Sequence, residues 1–218
     1  MLIFLQPRLV LLSVPKTGTT ALEQALAPRA EIVFRSRPEI KHLNHRQYLN
    51  RIQPLLAPLG GAPFESVAVL REPLDWLRSW YRFRARKELI GHPNSTAHVS
   101  FDRFLCDYLA PGRRPAHARL GRQSEFLTDH DGQIAVRHLF RYEAMPALVG
   151  FLEQRLGEKI TLKRANVSPQ SDTELTTETE AMVRTALAQD YALWQAARTS
   201  AEPGPESGPE TDQGQAAP

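Results

Sequence analysis

Apolar residues in this chain fall into short unbroken runs that alternate with stretches of helical spacing. Residues 9–14, Leu-Val-Leu-Leu-Ser-Val, form a near-continuous apolar run, the pattern of a strand buried on both faces of a sheet. Pro15 and Gly18 end it. Leu22, Ala25 and Leu26 then recur at helical spacing until Pro28, which predicts a helix over residues 19–27. Residues 31–34 predict a second short strand, and residues 66–70, Ser-Val-Ala-Val-Leu, a buried one. Pro73 suits the first turn of a helix running to about residue 87, with Trp76, Trp80 and Phe83 on one stripe. Ser100 predicts the N-cap of a short helix through residue 109. Residues 135–142 predict a further strand, followed by a helix from about residue 144 to 156 that Gly157 terminates. A single last helix is predicted from Thr176 or Thr177 to about residue 197. Strands alternating with helices predict an α/β fold, with helices flanking a mostly parallel central sheet. No internal repeat is present.

Composition narrows the class. With 218 residues, 42% hydrophobic and 23% charged, the chain is not disordered, collagen-like or a coiled coil. Residues 1–200 predict one domain. Residues 201–218 are rich in Pro, Gly, Glu and Gln and lack large apolar residues, so a disordered acidic tail is predicted. Residues 1–5 are apolar but lack a basic start and are interrupted by Gln6, Pro7 and Arg8, so no signal peptide is read. No stretch approaches the ~20 apolar residues of a membrane span. One cysteine, Cys106, excludes an internal disulfide and a cysteine-based zinc site and points to a reducing, cytoplasmic setting.

Charge changes the picture more. The net charge is +3, but Glu202, Glu206, Glu210 and Asp212 all lie in the tail, so the body carries +7. A basic body suggests an anionic ligand. The basic residues do not interleave with aromatics in a nucleic-acid-binding motif, so no nucleic-acid partner is expected.

Two segments can hold such an anion. The first, Ser13-Val-Pro-Lys-Thr-Gly-Thr-Thr20, joins the first predicted strand to the first helix. That junction offers free backbone N–H groups and the positive end of a helix. Gly18 permits a close backbone approach. Thr17, Thr19 and Thr20 add hydroxyls, and Lys16 adds a charge. The segment is not the usual ATP or GTP loop, because the lysine precedes the glycine. The second segment starts at Arg71, at the end of a central strand, where ligands bind in open α/β sheets. Ser79 follows eight positions later on the next helix. An arginine and a hydroxyl so placed suit a second phosphate. Arg78, Arg82 and Arg86 form an i, i+4 stripe, and Arg86 reads as part of a solvated face.

Taken together, these two segments resemble the sulfotransferases that use phosphoadenosine phosphosulfate (PAPS), in particular small bacterial and carbohydrate-type members. The resemblance covers residues 9–27 and 66–83. It extends more loosely to Gln123-Ser-Glu-Phe-Leu127 and Phe140-Arg-Tyr-Glu143, which look like segments near the nucleotide. It implies a P-loop-like three-layer fold, no metal, and transfer of a sulfuryl group from PAPS to a hydroxyl or amine of a small-molecule or carbohydrate acceptor. Adenosine 3′,5′-bisphosphate is then the product. It assigns the 5′-phosphosulfate to Lys16, Thr17, Gly18, Thr19 and Thr20, and the 3′-phosphate to Arg71 and Ser79. The late Arg-Lys-Gly segment of many cytosolic members is missing, with only Lys163-Arg164 in its place, and so is their C-terminal dimerisation motif.

Transfer to an alcohol needs a base. Glu39-Ile-Lys-His-Leu-Asn-His45 follows the second strand. His42 titrates near neutrality and is the first candidate; Glu39 is the second, provided it is desolvated. His42 and His45 have no evident third partner for a metal. The alternatives are a P-loop small-molecule kinase using ATP–Mg and a non-catalytic nucleotide-binding protein.

Overall fold

The computed structural model describes residues 1–163 and 173–201. Arg164 and residues 202–218, hence nearly all of the predicted tail, lie outside the described residues. The chain opens with a hairpin. β1 (Leu2–Phe4) and β2 (Leu9–Leu11) pair antiparallel, Leu2 opposite Leu11. The interrupting residues 5–8 form the turn, in which Arg8 adopts a φ of 57°. α1 (Thr19–Leu26) follows the loop after β2. β3 (Ile32–Val33) then pairs antiparallel with β1.

Three short helices come next: α2 (Pro38–Lys41), α3 (His45–Arg51) and α4 (Gln53–Leu56). Asn44 and Gln47 cap α3 reciprocally, each side chain bonding the other's backbone N–H. β4 (Glu65–Leu70) leads directly into α5 (Pro73–Arg84), and α6 (Phe101–Leu109) starts at Ser100, whose hydroxyl accepts from Arg103 N. α7 (Gln123–Leu127), β5 (His138–Arg141) and α8 (Met145–Leu156) follow, the last ended by Gly157 in the left-handed conformation. The predicted last helix is two: α9 (Thr177–Ala186) and α10 (Ala188–Ala196). Leu187 breaks it. The break lets Val183, Leu187 and Tyr191 pack against α5 and α6, while Leu193 and Trp194 reach the core beside the sheet.

The protein is α/β with a five-stranded mixed sheet in the order β3-β1-β2-β4-β5. The mostly parallel expectation is met only in part. β2, β4 and β5 are parallel neighbours, and β3 runs in their direction. β1 runs the other way between β3 and β2, so two of the four ladders are antiparallel. Three residues are too few for a periodic signal, which is why residues 1–5 did not read as a strand.

Helices cover both faces. Leu9, Leu11, Val67, Val69 and Phe140 pack with α1 and α8; Val10, Leu12, Ala68 and Leu70 pack with α3, α4 and α7. This two-sided burial explains the continuous apolar runs of β2 and β4. A third cluster joins α5, α6 and α9 through Leu77, Tyr81, Phe104 and Val183. Arg84 is buried beside it, and its guanidinium donates to the carbonyls of Ala116, His117 and Arg119. Among the described residues no helix is long and apolar enough to cross a membrane.

Arg84→Ala removes a buried charge-assisted donor and leaves the His117 and Arg119 carbonyls without a partner among the described residues. The expected loss is about 2–4 kcal/mol of unfolding free energy, to be checked by denaturant titration.

Candidate functional site

Parallel pairing sets the site. Because β2, β4 and β5 run together, the loop after β2, Arg71 after β4 and Tyr142 after β5 all leave the same edge of the sheet. This is the carboxyl edge, where open α/β sheets bind ligands.

The loop is held in an unusual backbone shape. Lys16 has a φ of 68° and Gly18, the N-cap of α1, a φ of 77°. A lysine rarely takes the left-handed region, and such a residue is kept there by its surroundings. Here Thr17 turns inward, fully buried, and its hydroxyl donates to Val14 O at 2.8 Å. Trp76 of α5 donates its indole N–H to Pro15 O at 2.9 Å. A Cβ on Gly18 would stand 3.2 Å from the Tyr142 ring and 3.3 Å from Met145. Gly18 thus lets the loop close onto Tyr142. The backbone N–H groups of residues 16–20 donate to no described residue. Thr19 and Thr20 are half-buried and their hydroxyls bond no described residue, whereas Thr17's hydroxyl is committed to the loop itself.

Arg71 stands beside this loop. Its Nη1 donates to the Lys16 carbonyl at 3.2 Å, its Nε to Asp75 at 2.6 Å, and its guanidinium lies 4.5 Å from the Tyr142 ring centroid. Gln123 grips the backbone of Arg71 at both groups, accepting from its N–H at 3.0 Å and donating to its carbonyl at 2.8 Å. Glu143 accepts from Glu72 N, and Glu72 caps α5 through Asp75 N. The segments around residues 123 and 142 therefore both abut the end of β4. Arg71 Nη2 has no hydrogen-bond partner among the described residues.

Lys16 sends its ammonium the other way, to 4.2 Å from the Phe83 centroid and 5.9 Å from Trp80 on α5. It forms no ion pair with a described residue. Burial, then Arg86 and Arg71, pull its pKa from 10.5 down to about 8. The attraction of an aromatic ring, on the order of 0.5–2 kcal/mol, does not offset burial and like charge. Ser79 lies on the same α5 face as Trp76 and Phe83 by helical spacing. It is buried, and its hydroxyl bonds no described residue.

His42 ends α2, with Nδ1 2.6 Å from Ser13 O. A carbonyl only accepts, so Nδ1 carries the proton and the neutral ring leaves Nε2 as the basic nitrogen. Burial lowers its pKa against the opposing pull of the Ser13 bond, so the ring is neutral at pH 7. Glu39 is exposed on α2 and pairs with no described residue; it lacks the desolvation a carboxylate base needs. His45 is turned into the core, next to Ser66 and Tyr48. No group of three or more His, Cys, Asp or Glu side chains suited to a metal occurs among the described residues.

The structure thus brings Lys16, Thr17, Gly18, Thr19, Thr20 and Arg71 together, with His42 tied to the loop's root and Ser79 on the helix that covers it. Glu39 is not drawn in. Two cavities of about 370 and 420 Å³ lie elsewhere, beside Phe64 and beside Arg155. Asp75 and Phe83 were not singled out for the site. Asp75 is readable as the i+4 partner of Arg71; Phe83 reads only as part of the stripe with Trp76 and Trp80.

The depressed Lys16 pKa predicts a pH-dependent penalty. Below about pH 8 the ammonium is charged in both folded and unfolded chains, and the whole penalty is present. Between 8 and 10.5 the unfolded chain binds more protons, so stability rises with pH. Lys16→Met should therefore stabilise at pH 7 by on the order of 1–2 kcal/mol, the shift being discounted for partial exposure. That gain should fade by pH 10; equal gains at both pH values in denaturant titrations contradict the assignment.

No protein-family model matches the chain, and no curated protein or solved structure is significantly similar to it.

Proposed function

We propose that this protein is a PAPS-dependent sulfotransferase, with a P-loop-like loop set on the parallel part of its sheet. It moves a sulfuryl group to a hydroxyl or amine of a small-molecule or carbohydrate acceptor. The observation that carries the reading is the 3.2 Å bond from Arg71 to the Lys16 carbonyl, which joins the two motifs in one positively charged site.

The residues present suit the group. The unengaged N–H groups of residues 16–20 and the start of α1 favour a 5′-phosphate. Among the described residues Lys16 has no counter-ion and neither Arg71 Nη2 nor the Ser79 hydroxyl has a partner, which suits them to a 3′-phosphate. When bound, PAPS supplies a sulfuryl group on a phosphate leaving group. Lys16 neutralises charge that grows on the leaving side, so it helps the transition state more than the ground state. Arg71 and Ser79 fix the nucleotide's position. His42, neutral at pH 7 and oriented by Ser13, takes the acceptor's proton at Nε2. Glu39 remains the weaker candidate because water surrounds it.

Adenosine 3′,5′-bisphosphate should raise the melting temperature, because a ligand that binds the native state at 100 times its Kd stabilises by about 2.7 kcal/mol. ATP–Mg should do so much less. A shift with ATP–Mg alone would support a phosphotransferase. A shift with the bisphosphate but no turnover on a broad acceptor panel would support a non-catalytic binder. Arg71→Ala should weaken bisphosphate binding by about 1.5–3 kcal/mol. Lys16→Ala should lower turnover more than affinity, as read by calorimetry beside an initial-rate assay.

A further inference from the structure

The stripe of arginines on α5 does not behave as one solvated face. Of the stripe, Arg82 donates to Thr173; Arg84, between the stripe's positions, is spent on three carbonyls. Arg86, just beyond the helix, is half-buried, and its guanidinium lies 4.8 Å from the Phe83 centroid. Lys16 Nζ lies 4.2 Å from the same centroid. Two cations on one small ring are at most about 9 Å apart, close to the screening length of roughly 8 Å at physiological salt.

Neither cation has a carboxylate among the described residues. Among the described residues the Arg86 side chain forms no hydrogen bond and no ion pair, and the nearest acid in sequence, Glu88, is exposed and paired with neither. Arg71, the remaining cation near Lys16, is already half neutralised by Asp75. The uncompensated charge therefore sits at the Phe83 end of Lys16, away from its carbonyl. A ring can hold two cations near each other, but it does not cancel their repulsion. An oxyanion between them does, and a guanidinium is well shaped to receive one.

We propose that Lys16 and Arg86, set about Phe83, form a second clasp for a tetrahedral oxyanion, separate from the Arg71–Ser79 end. It deepens the sulfotransferase reading, and its identity as a sulfonate or phosphate of the nucleotide, or as an anionic group of the acceptor, rests on that reading. The clasp itself does not.

The test is calorimetric titration of the full chain at pH 7 and low salt with sodium sulfate, and separately with adenosine 3′,5′-bisphosphate. The proteins are the parent, Arg86→Gln and Arg86→Lys, each checked for an unchanged melting temperature. Arg86→Gln should weaken sulfate binding at least fivefold, and Arg86→Lys should restore most of it. If Arg86→Gln also weakens the bisphosphate, the oxyanion is a phosphate of the nucleotide; if it leaves the bisphosphate unchanged, the oxyanion is the sulfonate that the bisphosphate lacks or an anionic group of the acceptor. Both results support the clasp. If the parent binds sulfate in an Arg86-dependent way but not the bisphosphate, the clasp stands and the sulfotransferase reading falls. Sulfate binding that is absent in the parent, or equal in the parent and Arg86→Gln, overturns the clasp.

Discussion

The bond from Arg71 to the Lys16 carbonyl ties together two strand ends 55 residues apart in the chain. It forms only because β2 and β4 are parallel neighbours and finish at one edge. It also needs Lys16 in the left-handed region, which turns its carbonyl toward Arg71 while its side chain runs toward Phe83. One residue so becomes both the acceptor that seats a neighbouring cation and a cation itself. Strain in the loop, the indole bond from Trp76 and the close seat of Gly18 on Tyr142 all serve that double placement.

Electrostatics at this edge is arranged by selective neutralisation. Asp75 pairs with Arg71, and carbonyls absorb Arg84, yet no described residue compensates Lys16 or Arg86. A fold selected only for stability gains nothing from leaving two neighbouring cations unpaired. Burial, with Arg86 and Arg71 beside it, depresses the Lys16 ammonium, and burial keeps His42 neutral. A charged cradle beside a neutral imidazole suits a reaction in which one side loses a proton and the other gains negative charge.

Much of this was legible in the chain. The buried runs of β2 and β4, the cap at Ser100 and the stop at Gly157 follow from local chemistry, and the structure has them. So does the placement of the Lys16 loop and Arg71, since strands followed by loops at a parallel edge put their ends together. What was not legible depends on tertiary partners. β1 is three residues long and becomes a strand only by pairing on both sides. The break at Leu187 answers two separate cores rather than any breaker residue. The inward turn of Thr17 and the exposure of Glu39 are set by the packing of the loop and of α2, which spacing does not report. Arg86 read as solvated because its neighbour across the ring, Lys16, is 70 residues away in sequence.

Gln123 takes the part of an adjoining strand for one residue: a single side-chain amide occupies both hydrogen-bonding groups of Arg71. Only a group that donates and accepts at that reach can do so. Glutamate at position 123, almost the same size, would turn its donor end into a second acceptor facing the Arg71 carbonyl. The position therefore does not tolerate a change of chemistry even at unchanged shape, and slow hydrolysis of this one amide would age the site by loosening the residue on which its geometry hinges.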